Sequence, residues 1–189
     1  RSNVIVVGDS ITFQAQWDGD LIGAALRSER FSRNAIDGRP GRRLADADWL
    51  TNLGPAGVTV LALGANDVLY AVDHVAEANW PGYFQSVLSD RTVRAQLAGS
   101  QCVVLQRPDG RSWWMLGGGD AARQAKFQRA ASEMYAQQQV VDGRRGVAVS
   151  WWTPPTDGTT DGLHLTAASE RAWAAWLAED VRWLEDHGC

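Results

Sequence analysis

The sequence predicts an α/β domain built on a mostly parallel sheet, and three observations lead there. Short apolar, β-branched runs recur along the chain, stretches of helical spacing separate them, and polar, glycine-rich segments follow the runs. With 189 residues, 45% of them hydrophobic, the chain can bury one sizeable core. One domain spanning 1–189 is expected, because no internal repeat, low-complexity tract or linker divides it.

The elements follow in order. Val4 to Val7 opens as a strand, and Leu21 to Arg30 reads as a helix. A weaker strand, Phe31 to Ile36, comes next, then a helix over Leu44 to Leu53 and a strand over Val58 to Leu63. Ala76 to Leu88 reads as a helix disturbed by Pro81, Cys102 to Gln106 as a buried strand, and Asp120 to Gln138 as a helix with Asp120 as its N-cap. Gly117, Gly118 and Gly119 form a loop leading into that helix. Gly146 to Trp151 supplies the fifth strand. The closing helix, Ala167 to Leu184, carries Trp173, Trp176, Leu177 and Leu184 at i, i+3, i+4 spacing, a packing stripe rather than a ligand platform.

Composition excludes several function classes. A net charge of −4 leaves no basic excess for neutralising phosphates, so nucleic acid is not an expected partner. All basic residues but Lys126 are Arg, which is read as coding bias rather than a need for guanidinium forks. No run of 18 apolar residues exists, so no membrane span is expected. There is no GxxxxGK[ST] run, and no GxGxxG follows the first strand. Cys102 and Cys189 are too few for a disulfide scaffold and too far apart for a zinc knuckle. They are expected as free thiols, since a bond would require the terminus to fold back onto the Cys102 strand. No metal and no cofactor is expected. Any secretion signal is absent or already removed, and an extracytoplasmic location is favoured over a cytoplasmic one.

In a doubly wound sheet, ligands gather outside the carboxyl ends of the strands. There the sequence places Gly8, Asp9 and Ser10 after the first strand, Asp37 to Arg42 after the second, Gly64 to Asp67 after the third, and Asp161 to His164 before the last helix. A serine hydroxyl needs a base to take its proton, and the chain offers three histidines. His74 falls between a turn and the third predicted helix, and His187 at the C-terminus; His164 alone lies on the active edge. Asp161, three residues earlier, can reach Nδ1 and fix the tautomer, leaving Nε2 to face Ser10. Asp9 and Asp67 read as loop braces. Arg39, Arg42 and Arg43 read as a solvated helix start sooner than as an anion site, and Trp17 as core packing or a wall of an acyl pocket. The nucleophile lacks the GxSxG setting of α/β-hydrolases.

Four blocks, in order, resemble those of the SGNH hydrolases, also called GDSL esterases. They are Gly8-Asp9-Ser10-Ile11-Thr12, Gly41 within Asp37-Gly38-Arg39-Pro40-Gly41-Arg42, Gly64-Ala65-Asn66-Asp67, and Asp161-Gly162-Leu163-His164. Gly38 competes with Gly41 for the second block. The resemblance implies a flavodoxin-like three-layer α/β/α fold with a five-stranded parallel sheet of order 2-1-3-4-5. It also implies a triad of Ser10, Asp161 and His164, and an oxyanion hole of the Ser10 and Gly41 N–H groups and the Asn66 amide. The expected activity is hydrolysis of short-chain, acetyl-type esters, on a small molecule or a carbohydrate. Two alternatives stand beside it: an O-acyltransferase domain acting on cell-surface polysaccharide, and a catalytically silent binding module of the same fold. Acyl length, alcohol portion and oligomeric state are left open.

Overall fold

In the computed structural model, which describes residues 1–107, 120–161 and 163–189, five strands form one parallel sheet of order β2-β1-β3-β4-β5. They are β1 (Val4–Gly8), β2 (Asn34–Gly38), β3 (Ala56–Ala62), β4 (Ser100–Gln106) and β5 (Val147–Ser150). The helices are α1 (Ser10–Trp17), α2 (Leu21–Ser28), α3 (Ala65–His74), α4 (Trp80–Leu97), α5 (Ala121–Val141) and α6 (Ala167–His187). The glycine triplet at 117–119 and Gly162 lie outside the described residues.

Strand alternation builds two cores. Val4, Val6, Val58, Val60 and Val104 pack against α1, α2 and α6 through Ala15, Ile22, Leu26, Trp173, Leu177 and Val181. Ile5, Val7, Leu61, Val103 and Leu105 pack against α3, α4 and α5 through Val68, Phe84, Leu88, Phe127 and Met134. Helices therefore cover both faces, which is why β1, β3 and β4 read as unbroken apolar runs. Trp173 and Leu177 take the packing role expected of the closing helix, whereas Trp183 of that helix is exposed. Asp120 caps α5 as expected, accepting from the Ala122 and Arg123 N–H groups.

Four expectations need correction. Phe31 belongs to no strand: it plugs the second core, its N–H donating to the Leu26 carbonyl, and the edge strand starts later, at the polar Asn34. Residues 44–53 form no α-helix, only a 3-10 turn at Asp48–Asn52: the Leu44 and Ala45 carbonyls, which a helix would offer to the N–H groups four residues on, accept from the distant Arg91 side chain. The disturbed helix expected over Ala76 to Leu88 begins as a 3-10 turn at Glu77–Asn79 and becomes α4 only at Trp80, with Pro81 in its first turn, where no helical N–H is needed, while α3 before it was not expected. Finally, Cys102 and Cys189 are disulfide-bonded, not free. Helix α6 packs along the sheet so that its end returns to the start of β4, bringing the two Cα atoms to 5.8 Å. Among the described residues no helix is long and apolar enough to cross a membrane.

Candidate active site

All five strands point their carboxyl ends to one edge, and the loops leaving that edge carry the four sequence blocks. After β1, the chain turns into α1 at Asp9, whose buried carboxylate caps the helix by accepting from the Ile11 N–H at 3.1 Å. Burial pushes the Asp9 carboxyl up to about 6, with the Ile11 hydrogen bond pulling it back. Ser10 is thereby fixed as the first residue of α1. Gly8 permits this tight turn, since a Cβ there would lie 1.8 Å from Thr12 Oγ1.

Gly38 and Gly41, the two candidates of the second block, differ in kind. Gly38 ends β2, and a Cβ on it would lie 2.3 Å from the Phe13 backbone nitrogen, so its smallness serves packing. Gly41 has φ +74°, a backbone conformation that favours glycine, and a Cβ on it would meet only open space. Neither the Gly41 N–H nor the Ser10 N–H donates to an acceptor among the described residues.

The sequence reading missed what holds this loop. Arg42, expected on a solvated face, is buried, with its side chain 1% exposed. Its Nη1 donates to the Asp37 carbonyl at 2.8 Å and the Gly8 carbonyl at 3.4 Å, and its Nη2 pairs with Asp37 and Asp48. It ties the ends of β1 and β2 together beneath the turn. The Arg42 carbonyl in turn accepts from the Asn66 amide at 3.1 Å, which orients that side chain and leaves its second N–H uncommitted by this bond. The available signal was acidic residues at positions 37, 46 and 48 flanking the arginines, a pattern that pairs rather than repels.

Asp67 continues the clamp. Fully buried in α3, it accepts from the Leu44 and Ala45 N–H groups at 2.6 and 3.0 Å, while Arg91 of α4 donates to the carbonyls of the same two residues. Burial raises Asp67 to about 6, opposed by those two N–H donors. Asp9 and Asp67 thus brace loops, as the sequence led one to expect. Arg39 is exposed and paired with Asp48; Arg43 pairs with Asp46 and lies over the Tyr70 ring. Trp17 is neither core nor pocket wall: it is 78% exposed on the last turn of α1.

The fourth block arrives from the far end of the chain. A Thr159–Leu165 bridge closes a short loop before α6. Within it, Asp161 Oδ1 accepts from the Leu163 and His164 N–H groups, and Oδ2 accepts from His164 Nδ1 at 2.6 Å. One carboxylate both shapes the loop and sets the ring. Burial works to raise the Asp161 carboxyl, but the bonds from the His164 ring and the two N–H groups outweigh it and hold it below the usual range. With Nδ1–H donated to Asp161, His164 Nε2 is the acceptor, and the Ser10 hydroxyl meets it at 3.1 Å. Residues 154 positions apart thus form one relay. His74 ends α3 against Tyr70, and His187 ends α6 on the Trp183 carbonyl, so neither joins the site. Among the described residues, no His, Cys, Asp or Glu cluster is arranged to hold a metal.

No protein-family model matches the chain, and no curated protein matches its sequence. Solved structures do match in fold. An inhibitor-bound aryl esterase of M. smegmatis shares 17% identity over 96% of this chain and 99% of its own, with a TM-score of 0.65. A carbohydrate acetylesterase from Sinorhizobium meliloti shares 15% over 97% and 100%, TM-score 0.65. An acetyl xylan esterase from Geobacillus stearothermophilus shares 13% over 95% and 94%, TM-score 0.59. The chain has the three-layer fold of these esterases, the SGNH-hydrolase fold, with the strand order the sequence blocks imply.

Proposed function

We propose that this protein is a serine esterase that hydrolyses short acyl esters, acetyl above all, carried on a carbohydrate. The observation that carries the reading is the hydrogen-bonded line from the Ser10 hydroxyl through His164 to Asp161, at 3.1 and 2.6 Å. In this reading Ser10 Oγ attacks the ester carbonyl as its proton passes to His164 Nε2, and the resulting imidazolium is held by Asp161. The oxyanion is received by the Ser10 and Gly41 N–H groups and the free N–H of Asn66, donors fixed before the charge develops. Collapse of the tetrahedral species expels the alcohol, which takes the proton from His164. Water, deprotonated by the same ring, then attacks the acyl-serine ester and releases the acid.

Carbohydrate as the alcohol is supported by the fold neighbours described as a carbohydrate acetylesterase and an acetyl xylan esterase. A chain of 189 residues also leaves little room for the insertions that build long acyl-binding lids. The Cys102–Cys189 disulfide supports work outside the cytoplasm, where such bonds persist.

The test is covalent. A serine-directed phosphonate should add once, on the peptide bearing Ser10, and abolish turnover of an aryl acetate in proportion to labelling. Labelling elsewhere, or full activity after labelling of Ser10, would overturn the reading.

A further inference from the structure

Helix α1 presents two aromatic rings to water on the same stripe as Ser10. At 3.6 residues per turn, positions 10, 13 and 17 lie one above another. Ser10, Phe13 and Trp17 occupy them, while Thr12 and Ala15 fill the opposite, buried side. Phe13 is 38% and Trp17 78% exposed, a state that indole rings seldom hold in folded proteins. Their rings lie together, with centroids 6.0 Å apart and planes 23° from parallel, making one apolar ledge. The ledge starts one turn from Ser10 and ends about 10 Å along the helix axis, at about 1.5 Å per residue. Its upper end is fixed by the close packing of Gly38 against the Phe13 backbone.

The geometry points to a subsite for the sugar chain: Phe13 and Trp17 stack on pyranose rings of the alcohol portion, beyond the ring whose ester is cleaved. The inference rests on the esterase reading and adds the side of the substrate that the relay leaves unspecified. A pyranose has a C–H face that loses water favourably on an aromatic ring and a rim of hydroxyls that stays wet, which suits a surface open on one side. An acyl chain laid there would remain half in water. A lipid surface calls for cations beside the rings, whereas Asp18 and Asp20 follow Trp17 and the chain carries a net −4. Two side chains also fall far short of the roughly 800 Å² per partner of a stable protein interface.

Kinetics on two acetyl esters tests the subsite: a small aryl acetate, which cannot span the ledge, and an acetylated xylo-oligosaccharide of several sugars. In Trp17→Ala, the ratio of kcat/KM for the oligosaccharide to that for the aryl acetate should fall about tenfold, the scale of one lost stacking ring, with the change in KM. Trp17→Tyr should recover most of it. Trp183→Ala, which removes an exposed tryptophan near the far end of α6, should leave the ratio unaltered. A ratio within about twofold of wild type in Trp17→Ala overturns the subsite, as does loss of self-association or of vesicle binding in that variant, which would assign the rings to a second copy or a membrane. Should the wild type cleave neither ester, the esterase reading fails by itself. Calorimetric titration with the unacetylated oligosaccharide then decides the ledge, which stands if binding weakens about tenfold in Trp17→Ala and falls if it does not.

Discussion

Ser10 and Asn66 open helices and Gly41 lies in a turn, all gripped by buried charge, whereas Asp161 and His164 lie on a loop tied mainly to itself. On the first side Asp9, Arg42 and Asp67 are all but inaccessible: Asp9 caps the start of α1, Arg42 binds the Asp37 and Gly8 carbonyls and two carboxylates, and Asp67 holds the Leu44 and Ala45 N–H groups. On the second side the Asp161 and His164 side chains are 45% and 36% exposed, and their partners lie within a few residues. The contrast suits the work that the proposed reaction would give each half. Donors to a developing oxyanion act best when they cannot reorganise, so rigidity bought with desolvated charge is useful there. A base that accepts a proton and returns it to a different atom needs some freedom of its ring.

Breaking the exposed side should cost the most activity and the least stability. His164→Ala should lower kcat for an aryl acetate by about 10⁴-fold or more, with Tm shifted by no more than about 2 °C. A large fall in Tm would mean that this loop is structural rather than chemical. Asn66→Ala should come next, losing about 100- to 1,000-fold in kcat with KM nearly constant. If KM rises instead and kcat holds, Asn66 contacts ground-state substrate and is no oxyanion donor.

The buried side should answer mainly in stability. Arg42→Met leaves Asp37 and Asp48 without their buried partner and should cost about 3 kcal/mol, a Tm drop of about 10 °C for a chain this size. An unchanged melting curve would remove Arg42 as the link between the strand ends. The smallest effect concerns protons. Asp67 is raised from 3.8 to about 6 in the folded protein, so the native state binds its proton more tightly than the unfolded chain does. Stability should therefore rise as pH falls from about 6 towards 4, by roughly 1–2 kcal/mol from this group. Asp161 is shifted the other way, and the stability it lends is present above the ordinary carboxylate range and lost only as pH falls through its lowered value. Melting curves across that range for wild type and Asp67→Asn should show the rise shrinking in the variant; an equal rise in both would mean that Asp67 is not its source.

Much of this contrast was legible in the sequence, though unevenly. The four blocks picked out the segments that the fold gathers at one sheet edge, because short motifs name particular residues at strand ends, and the Ser10, His164 and Asp161 side chains hydrogen-bond there. The three central strands were plain because burial on both faces leaves unbroken Val and Leu runs. Helix α1 was not anticipated, since exposed Phe13 and Trp17 blur its apolar face. Arg42 was misjudged because charge in sequence suggests solvent, and only the fold sets Asp37, Asp48 and two carbonyls around it. The disulfide depended on where a helix of 21 residues ends in space, which spacing along the chain does not encode.

Both chain ends meet at the side of the sheet opposite the reactive rim. Arg1 pairs with Glu185 and Asp186, the Ser2 N–H donates to Glu185, and Cys189 is bonded to the start of β4. A support, dye or fused module joined to either end therefore departs from the protein's back. Immobilised through such a handle, the molecule would keep the edge that carries Ser10 and His164 turned outward, open to solutes of any size.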